Sequence, residues 1–283
     1  MQGLPRILLG LFAGLPLRLL HALGTVLGWA IYGMSPTYRR QLRENLERAG
    51  YRDASVRRAA IAHAGRMLAE TPAMWLRPQD EVAALVREVR GLEAALAARD
   101  AGKALLFLTP HMGSFEIAAQ YASHRVPITV LYRPPKMRWL EPLMHEGRSR
   151  GSVRLVPADN RGVREMLLAL KRGEAVGFLP DQVPGEGEGD WAELFGEQAY
   201  TGVLAPKLAE RDNVACFLVY AKRLPRGAGY ALVLHAYPRR LPGESPTRHL
   251  NRALEALVRE CPEQYLWGYN RYKVPARAKP RPS

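Results

Sequence analysis

Residues 103–116, KALLFLTPHMGSFE, decide the fold: a short apolar run, a polar loop and the start of a helix follow one another. An apolar run of this length, bounded by turn residues, fits a buried strand. Four further apolar runs follow, at residues 128–132, 153–157, 175–180 and 214–220, the last continued by 230–237. Helical patterns separate the runs, at residues 114–123, 136–150, 161–172 and 201–211. This alternation predicts an α/β fold with a mostly parallel central sheet flanked by helices.

Polar residues follow several of these runs directly. In open α/β sheets, ligands bind beyond the carboxyl ends of the strands. We therefore expect the residues at these positions to form the functional site. They are His111, Arg133, Asp181 with Gln182, and Arg223.

His111 and Glu116 form the sharpest local pattern. Five positions along a regular helix would leave their side chains about 140° apart, so they can meet only if His111 lies in the loop and Glu116 in the first helical turn. A carboxylate beside an imidazole fixes its tautomer and stabilises its protonated form. The pattern predicts His111 as general base for a substrate hydroxyl and Glu116 as the residue that orients it. The structural alternative is that Ser114 caps the helix, Glu116 is a first-turn acid and His111 is a loop residue.

The amino terminus is the most apolar part of the chain. Its apolar character from residue 7 onward is interrupted by Pro16, Arg18, His21 and Thr25. Residues 1–34 are predicted to be a membrane anchor or an interfacial helix or hairpin, because a charge near the middle makes a simple crossing costly. A cleaved signal peptide and a buried core hairpin are the alternatives.

The remainder divides into an α/β domain over residues 35–275 and a disordered basic tail over residues 276–283. The domain is predicted to begin with a helical region from Tyr38 to Arg99, in which Pro72 and Pro78 act as breaks. A mobile loop is expected at residues 185–190, where the sequence reads GEGEGD.

Composition excludes several classes of protein. With 283 residues, 47% of them hydrophobic, the chain can bury a sizeable core and is neither disordered nor fibrous. The net charge of +14 predicts an anionic partner, and the arginine excess in residues 39–58 is typical of the cytoplasmic side of an anchor. Recognisable nucleic-acid-binding motifs are absent, so no nucleic acid is predicted as partner. Cys216 and Cys261 form no CxxC pair and the histidines are scattered, which predicts no metal site.

Several motifs occur in an order that carries a resemblance. A histidine followed after four residues by an acid is the signature of the glycerolipid acyltransferase superfamily, and the surrounding motifs make the chain similar to the lipid A biosynthesis acyltransferase family, which adds lauroyl or myristoyl groups. These motifs are Arg43 with Asn45 and Leu46, His111 with Glu116, Tyr132 to Pro134 with Lys136, Arg148 with Arg150 and Gly151, Phe178 to Gln182, Leu194 to Gly196 with Ala199 and Thr201, Arg223, and Pro262 to Trp267.

The resemblance implies acyl transfer from an acyl thioester to a hydroxyl of a glycolipid, with no cofactor and no covalent protein intermediate. Acyl carrier protein is favoured over coenzyme A as the donor, and a lipid A precursor as the acceptor. It also implies a bacterial inner-membrane protein with its catalytic domain on the cytoplasmic side. The alternatives are another phospholipid or glycolipid acceptor, a membrane-bound hydrolase that uses the same pair of residues, and a non-catalytic membrane scaffold.

Roles for the remaining site residues follow from this expectation. The planar guanidinium groups of Arg133, Arg148 and Arg150 suit phosphate groups, although both Arg148 and Arg150 could simply end a helix favourably. Asp181 and Gln182 are predicted to bind the acceptor sugar or the donor. Arg223 is predicted to contact an anionic group of the substrate.

Overall fold

The computed structural model describes residues 3–135, 137–185, 187–276, 278, 280 and 281, with side chains from residue 6 onward. Its helices are α1 (Gly3–Ala13), α2 (Leu17–Met34), α3 (Pro36–Arg48), α4 (Ala54–Leu76), α5 (Gln79–Ala84), α6 (Leu92–Asp100), α7 (Phe115–Ala122), α8 (Glu141–Arg148), α9 (Asn160–Lys171), α10 (Leu204–Ala209) and α11 (Pro246–Glu260). Its strands are β1 (Val86–Arg90), β2 (Ala104–Leu108), β3 (Ile128–Tyr132), β4 (Val153–Pro157), β5 (Ala175–Phe178), β6 (Gly189–Leu194), β7 (Glu197–Gly202), β8 (Val214–Arg223) and β9 (Tyr230–Ala236).

Seven strands form the central sheet, in the order β1-β9-β8-β2-β5-β3-β4. Within the described ranges, each neighbouring pair in this sheet is parallel except β8 with β9. Two clusters of buried apolar side chains lie against the sheet, one with α9 and α11 and the other with α4 and α7. The predicted α/β fold, with a mostly parallel sheet flanked by helices, is therefore confirmed.

The apolar runs of the sequence form strands because their side chains can be buried on both faces of the sheet. All five residues of β2 are buried, as expected for a central strand that is covered by helices on both sides. Among the helices between the runs, α9 starts at a polar cap: the side chain of Asp159 accepts hydrogen bonds from the backbone N–H groups of Arg161 and Gly162.

Three local expectations differ from the structure. Within the region predicted as helical, Val86–Arg90 forms a half-exposed strand that pairs with β9, a partner that lies far along the chain and leaves no local signal. Pro72 lies inside α4 and does not end it, because buried neighbours such as Ala73 and Met74 hold the helix against the core. Of the loop expected at residues 185–190, Glu186 lies outside the described residues, and Gly189 already begins β6.

The amino-terminal helices form a bent pair that packs against the domain. No single helix of the described residues is long and apolar enough to cross a membrane; α1 from Arg6 and α2 satisfy the criteria of length and composition only together, across a bend of 115°. One face of α2 is packed on α4, where a side chain at Gly65 would collide with the backbone of Gly24 and Gly28. The opposite face exposes apolar side chains, among them Val26 and Trp29.

The predicted tail over residues 276–283 is described only in part. Residues 277, 279, 282 and 283 lie outside the described residues, as does Lys136 in the motif after β3. Arg281, which is described, has its Nη2 atom 3.0 Å from Glu197 Oε2 on the hairpin of β6 and β7.

Candidate active site

Neighbouring strands bring His111 and Asp181 together. Strands β2 and β5 are paired in parallel, with Leu108 opposite Phe178. Three residues beyond that last pair, the two chains therefore reach His111 and Asp181 at the same edge of the sheet. The backbone continues this pairing for one more step, since Thr109 N donates to Phe178 O at 3.1 Å.

The carboxylate of Asp181 contacts both the imidazole and the backbone of His111. Nδ1 of His111 lies 2.8 Å from Asp181 Oδ1, and the backbone N–H of His111 donates to Oδ2 at 3.0 Å. Burial would raise the pKa of Asp181, but the imidazole and these hydrogen bonds hold that pKa below its usual value. Because an ionised carboxylate only accepts hydrogen bonds, the Nδ1 atom carries the proton and Nε2 is the basic nitrogen.

The second ring nitrogen of His111 contacts the side chain of Gln182. The Nε2 atom of His111 is 3.1 Å from the side-chain amide nitrogen of Gln182, which donates to it in this tautomer. The side chain of His111 is 18% exposed, whereas that of Asp181 is 5% exposed. The histidine is therefore the more exposed member of the pair.

A tightly held turn fixes the loop that carries His111. Gly113 has a φ of +59°, and a Cβ at this position would lie 2.0 Å from the carbonyl oxygen of Ala221, so only glycine fits. The carboxyl-terminal segment holds the loop from the other side, since Gly113 N donates to Gln264 O and Leu266 N donates to His111 O, both at 2.9 Å.

Glu116 lies in the first turn of α7, as predicted, but its carboxylate contacts a different partner. Oε2 accepts hydrogen bonds from Trp75 Nε1 at 3.0 Å and from Arg148 Nε at 2.9 Å, and Oε1 accepts one from Arg148 Nη2. Burial would raise the pKa of Glu116, but the guanidinium of Arg148 lowers it below the usual value. Among the described residues, the carboxylate that hydrogen-bonds His111 is thus Asp181 and not Glu116, which corrects the expected geometry.

A cleft of about 720 Å³ opens at the same edge of the sheet. His111 and Gln182 line it at the sheet, and Arg133 and Arg148 line it on the side of β3 and α8. Its remaining charged lining residues are Lys207, Arg211, Asp159 and Glu188. Four of the predicted site residues, His111, Arg133, Arg148 and Gln182, therefore share one cleft, in which cationic side chains outnumber anionic ones.

A second, apolar cavity of about 70 Å³ lies between the sheet and helices α6 and α7. It is lined by aliphatic residues of both helices and of strands β2, β3, β8 and β9. Phe115, Phe178 and Leu179 line both this cavity and the cleft, so the two spaces adjoin close to His111.

Arg150 does not take the phosphate-binding position predicted for it. Its guanidinium donates to three backbone carbonyl oxygens: Gly147 O at 3.0 Å, Met74 O at 2.5 Å and Arg77 O. These contacts satisfy carbonyl groups at the carboxyl-terminal ends of α4 and α8, where arginine is a favourable partner. The structure therefore gives Arg150 a structural role.

Arg223 is sealed in the interior, which also corrects the substrate-binding role expected for it. Arg223 and Glu70 are each 1% exposed, and Nη2 of Arg223 lies 2.7 Å from Glu70 Oε1. His21 Nε2 and Tyr230 Oη each lie 2.9 Å from Oε2 of the same carboxylate. The remaining contact of Arg223 Nη2 is the carbonyl oxygen of Gly113, at 2.8 Å. Arg223 thus supports the His111 loop from behind.

The two cysteines do not fit a nucleophilic role. Cys216 is half-buried and Cys261 is buried, and burial raises the pKa of both thiols far above the usual value. The described residues also contain no group of three or more histidine, cysteine, aspartate or glutamate side chains that could hold a metal ion.

A mostly parallel sheet with a histidine–aspartate pair at its carboxyl edge, beside a cleft, is an arrangement typical of α/β enzymes. The sequence profile of the family described as bacterial lipid A biosynthesis acyltransferase matches residues 4–274. The chain belongs to this family and is an acyltransferase, as the sequence motifs indicated.

Individual relatives show the same relationship at modest identity. The chain is 29% identical over 218 residues to the lipid A biosynthesis lauroyltransferase of Escherichia coli K12, covering 74% of this chain and 69% of that protein. It is 27% identical over 274 residues to the lipid A biosynthesis palmitoleoyltransferase of the same organism, covering 94% and 89%. A lipid A biosynthesis acyltransferase of Haemophilus influenzae is 24% identical over 185 residues, covering 64% and 57%.

Proposed function

We propose that the protein transfers a fatty acyl chain from an acyl thioester to a hydroxyl group of a lipid A precursor, with His111 as the general base. The observation that carries this proposal is the contact of 2.8 Å between His111 Nδ1 and Asp181 Oδ1, which leaves Nε2 basic beside the cleft. The names of the relatives support the acyl transfer and the lipid A acceptor.

The reaction needs one proton acceptor at the hydroxyl. The hydroxyl proton passes to Nε2 of His111 as the oxygen attacks the thioester carbonyl, and the amide of Gln182 moves aside to admit it. The ring then carries a positive charge, which the ionised carboxylate of Asp181 stabilises. When the tetrahedral intermediate collapses, the carbon–sulfur bond breaks and the thiolate takes the proton from Nε2. The products are an ester and a free thiol.

The cationic lining of the cleft supports an anionic glycolipid as acceptor. The four cationic side chains of the lining, Arg133, Arg148, Lys207 and Arg211, outnumber its two carboxylates, Asp159 and Glu188. A planar guanidinium recognises phosphate by paired hydrogen bonds. In this proposal Arg148 contacts a phosphate of the acceptor, and Glu116 acts on catalysis by holding that guanidinium in place.

The donor is proposed to be acyl carrier protein. Its acidic surface is complementary to a chain of net charge +14. The apolar lining of the cavity that adjoins the cleft at Phe115, Phe178 and Leu179 supports a hydrocarbon group on the thioester, with its carbonyl carbon at His111. Coenzyme A is the second donor to be tested.

A membrane-borne acceptor requires access from a lipid surface. The exposed apolar faces of α1 and α2 support an interfacial position of residues 1–34 at the cytoplasmic side of the inner membrane. Leu11 is 69% exposed and Val26 is 69% exposed, values that are costly for apolar side chains in water.

The proposal is tested with detergent-dispersed enzyme, an acyl chain labelled on either acyl carrier protein or coenzyme A, and a panel of acceptors. The panel contains a lipid A precursor, the same precursor without its phosphates and a phospholipid. We expect label in the phosphorylated lipid A precursor, with more from the carrier protein. Label released as free fatty acid at the same rate with and without acceptor would identify a hydrolase, and label in the phospholipid alone would refute the lipid A assignment.

A further inference from the structure

Two large apolar side chains are exposed between β3 and α8. Met137 is 55% exposed and Trp139 is 58% exposed. Trp139 lies in the helical turn Arg138–Leu140, whose third residue, Leu140, packs inward on the core. The turn is therefore anchored by Leu140 and presents Met137 and Trp139 outward, although apolar side chains of this size are normally buried.

This turn lies beside the cleft. Tyr132 and Arg133 line the cleft immediately before it. The hydroxyl of Tyr132 donates to Glu141 Oε1 at 3.0 Å, so the start of α8 is tied back to the end of β3. In the described part of the chain between these two residues, Met137 and Trp139 are exposed apolar side chains.

The exposed face of α1 adjoins the same helix. Nη2 of Arg6 on α1 lies 2.7 Å from Glu146 Oε1 on α8. Next to Arg6, the side chains of Ile7 and Leu8 are 59% and 57% exposed. Exposed apolar side chains on α1 and on the turn before α8 therefore belong to neighbouring elements.

The charges around these side chains indicate what they contact. Exposed residues Arg133 and Arg138 flank Met137 and Trp139 in sequence, and the chain as a whole carries a net charge of +14. Basic residues interleaved with exposed apolar ones suit an anionic lipid surface, and tryptophan prefers the level of the headgroups. A lipid surface also accounts for the exposed apolar side chains of the neighbouring helix α1, which a soluble protein partner of the turn would leave unexplained.

We propose that Met137 and Trp139 insert into an anionic bilayer and form a second lipid contact beside the cleft, in addition to the amino-terminal helices. This inference rests on the proposed function, because a lipid acceptor must reach the cleft from a membrane. The second contact holds the mouth of the cleft at the level of the headgroups, so that the acceptor enters without leaving the lipid surface.

The test compares Met137→Glu/Trp139→Glu with the wild type and with Leu241→Glu. Leu241, 54% exposed on the loop before α11, is the matched control. Each full-length protein is sedimented with vesicles of phosphatidylcholine alone or with phosphatidylglycerol. From the apolar area removed we expect the double variant to bind anionic vesicles at least about tenfold more weakly than the control. Equal binding of all three proteins would overturn the proposal.

A second measurement keeps this inference separate from the proposed function. Acyl transfer to detergent-dispersed acceptor is expected to be equal in the double variant and the wild type, because neither residue lies in the reacting site. If no protein transfers acyl chains, the proposed function fails while vesicle binding still reports on the lipid contact. If the variant binds vesicles normally but has lost self-association that the wild type shows, the two residues form a protein interface and the lipid contact is refuted.

Discussion

Two polar clusters lie at the carboxyl ends of neighbouring strands of the sheet and differ in their exposure to solvent. His111 and Asp181 follow β2 and β5, and the histidine, which is 18% exposed, lines the cleft. Arg223 ends β8, next to β2, and forms with Glu70 a pair in which each side chain is 1% exposed. Each cluster combines a carboxylate with a nitrogen-containing side chain that follows or ends a strand at the same edge of the sheet. A polar residue at the end of a strand therefore marks a ligand site only where the surrounding helices leave it open.

The sealed pair connects elements that the accessible pair depends on. Glu70 on α4 contacts His21 on α2 and Tyr230 on β9, while Arg223 holds the carbonyl of Gly113 in the His111 loop. The amino-terminal helices and the loop that carries His111 are thus joined through one buried ion pair. Buried pairs of this kind cost desolvation energy, so we assign it a role in fixing the arrangement of these elements.

The largest effect is expected from breaking the sealed pair. Arg223→Met leaves the Glu70 carboxylate buried without its guanidinium partner and should lower the free energy of unfolding by about 3–5 kcal/mol. Glu70→Leu/Arg223→Met removes both charges and should recover part of this loss. Denaturant unfolding of the three proteins measures it. A single variant as stable as the wild type would show that the pair does not contribute to the fold.

The accessible pair should respond in rate and little in stability. Asp181→Asn removes the negative charge that stabilises the protonated imidazole and should lower kcat about 10²-fold, with the unfolding midpoint changed far less than in Arg223→Met. Steady-state acyl transfer and thermal unfolding check both parts. Unchanged kcat would eliminate Asp181 as the residue that orients His111.

A substitution of Glu116 distinguishes its expected role in acceptor binding from the role of Asp181 in catalysis. Glu116→Gln keeps a hydrogen-bond acceptor for Trp75 but weakens the hold on Arg148, so we expect about a tenfold rise of KM for the phosphorylated acceptor and a smaller change of kcat. Kinetics at varied acceptor concentration separate the two constants. If kcat instead falls as far as in Asp181→Asn, Glu116 acts directly on His111, as its position in the sequence suggested.

A change of stability with pH is also expected. Burial would raise the pKa of Glu70, but Arg223 and the hydrogen bond with His21 lower it from 4.5 to about 2. As the pH falls below 4.5, Glu70 becomes protonated in the unfolded chain but stays ionised in the folded protein until about pH 2. The stability that this group contributes therefore falls across that interval. Glu70→Leu/Arg223→Met should show a shallower fall in chemical unfolding between these pH values. Parallel curves would contradict the assignment.

The sequence predicts the strands and the edge at which the site forms, because apolar runs and the residues after them are local features. It does not predict that β2 and β5 are neighbours, since β3 and β4 lie between them in the chain. The sequence pattern therefore pairs His111 with Glu116, which is close in the chain, although Asp181 is closer in space. The equal distance of His111 and Asp181 from the paired ends of their strands is a signal that becomes useful only when the strand order is known.

Arg223 and Arg150 show a second limit. Their positions at ends of regular elements are the same as those of true ligand-binding arginines, and only tertiary packing decides which are covered. Glu70 lies in the middle of α4, where nothing in its neighbourhood indicates that it meets a strand 153 residues further along the chain.

The most direct test of the central claim is the rate of labelled acyl transfer from acyl carrier protein to a lipid A precursor by His111→Ala, measured against His235→Ala. His235 is a partly exposed histidine paired with Glu260, outside the lining of the cleft, and serves as the matched control. We expect His111→Ala to lose about 10²–10⁴-fold in rate while His235→Ala retains the wild-type rate. Equal rates for the two variants would contradict the account.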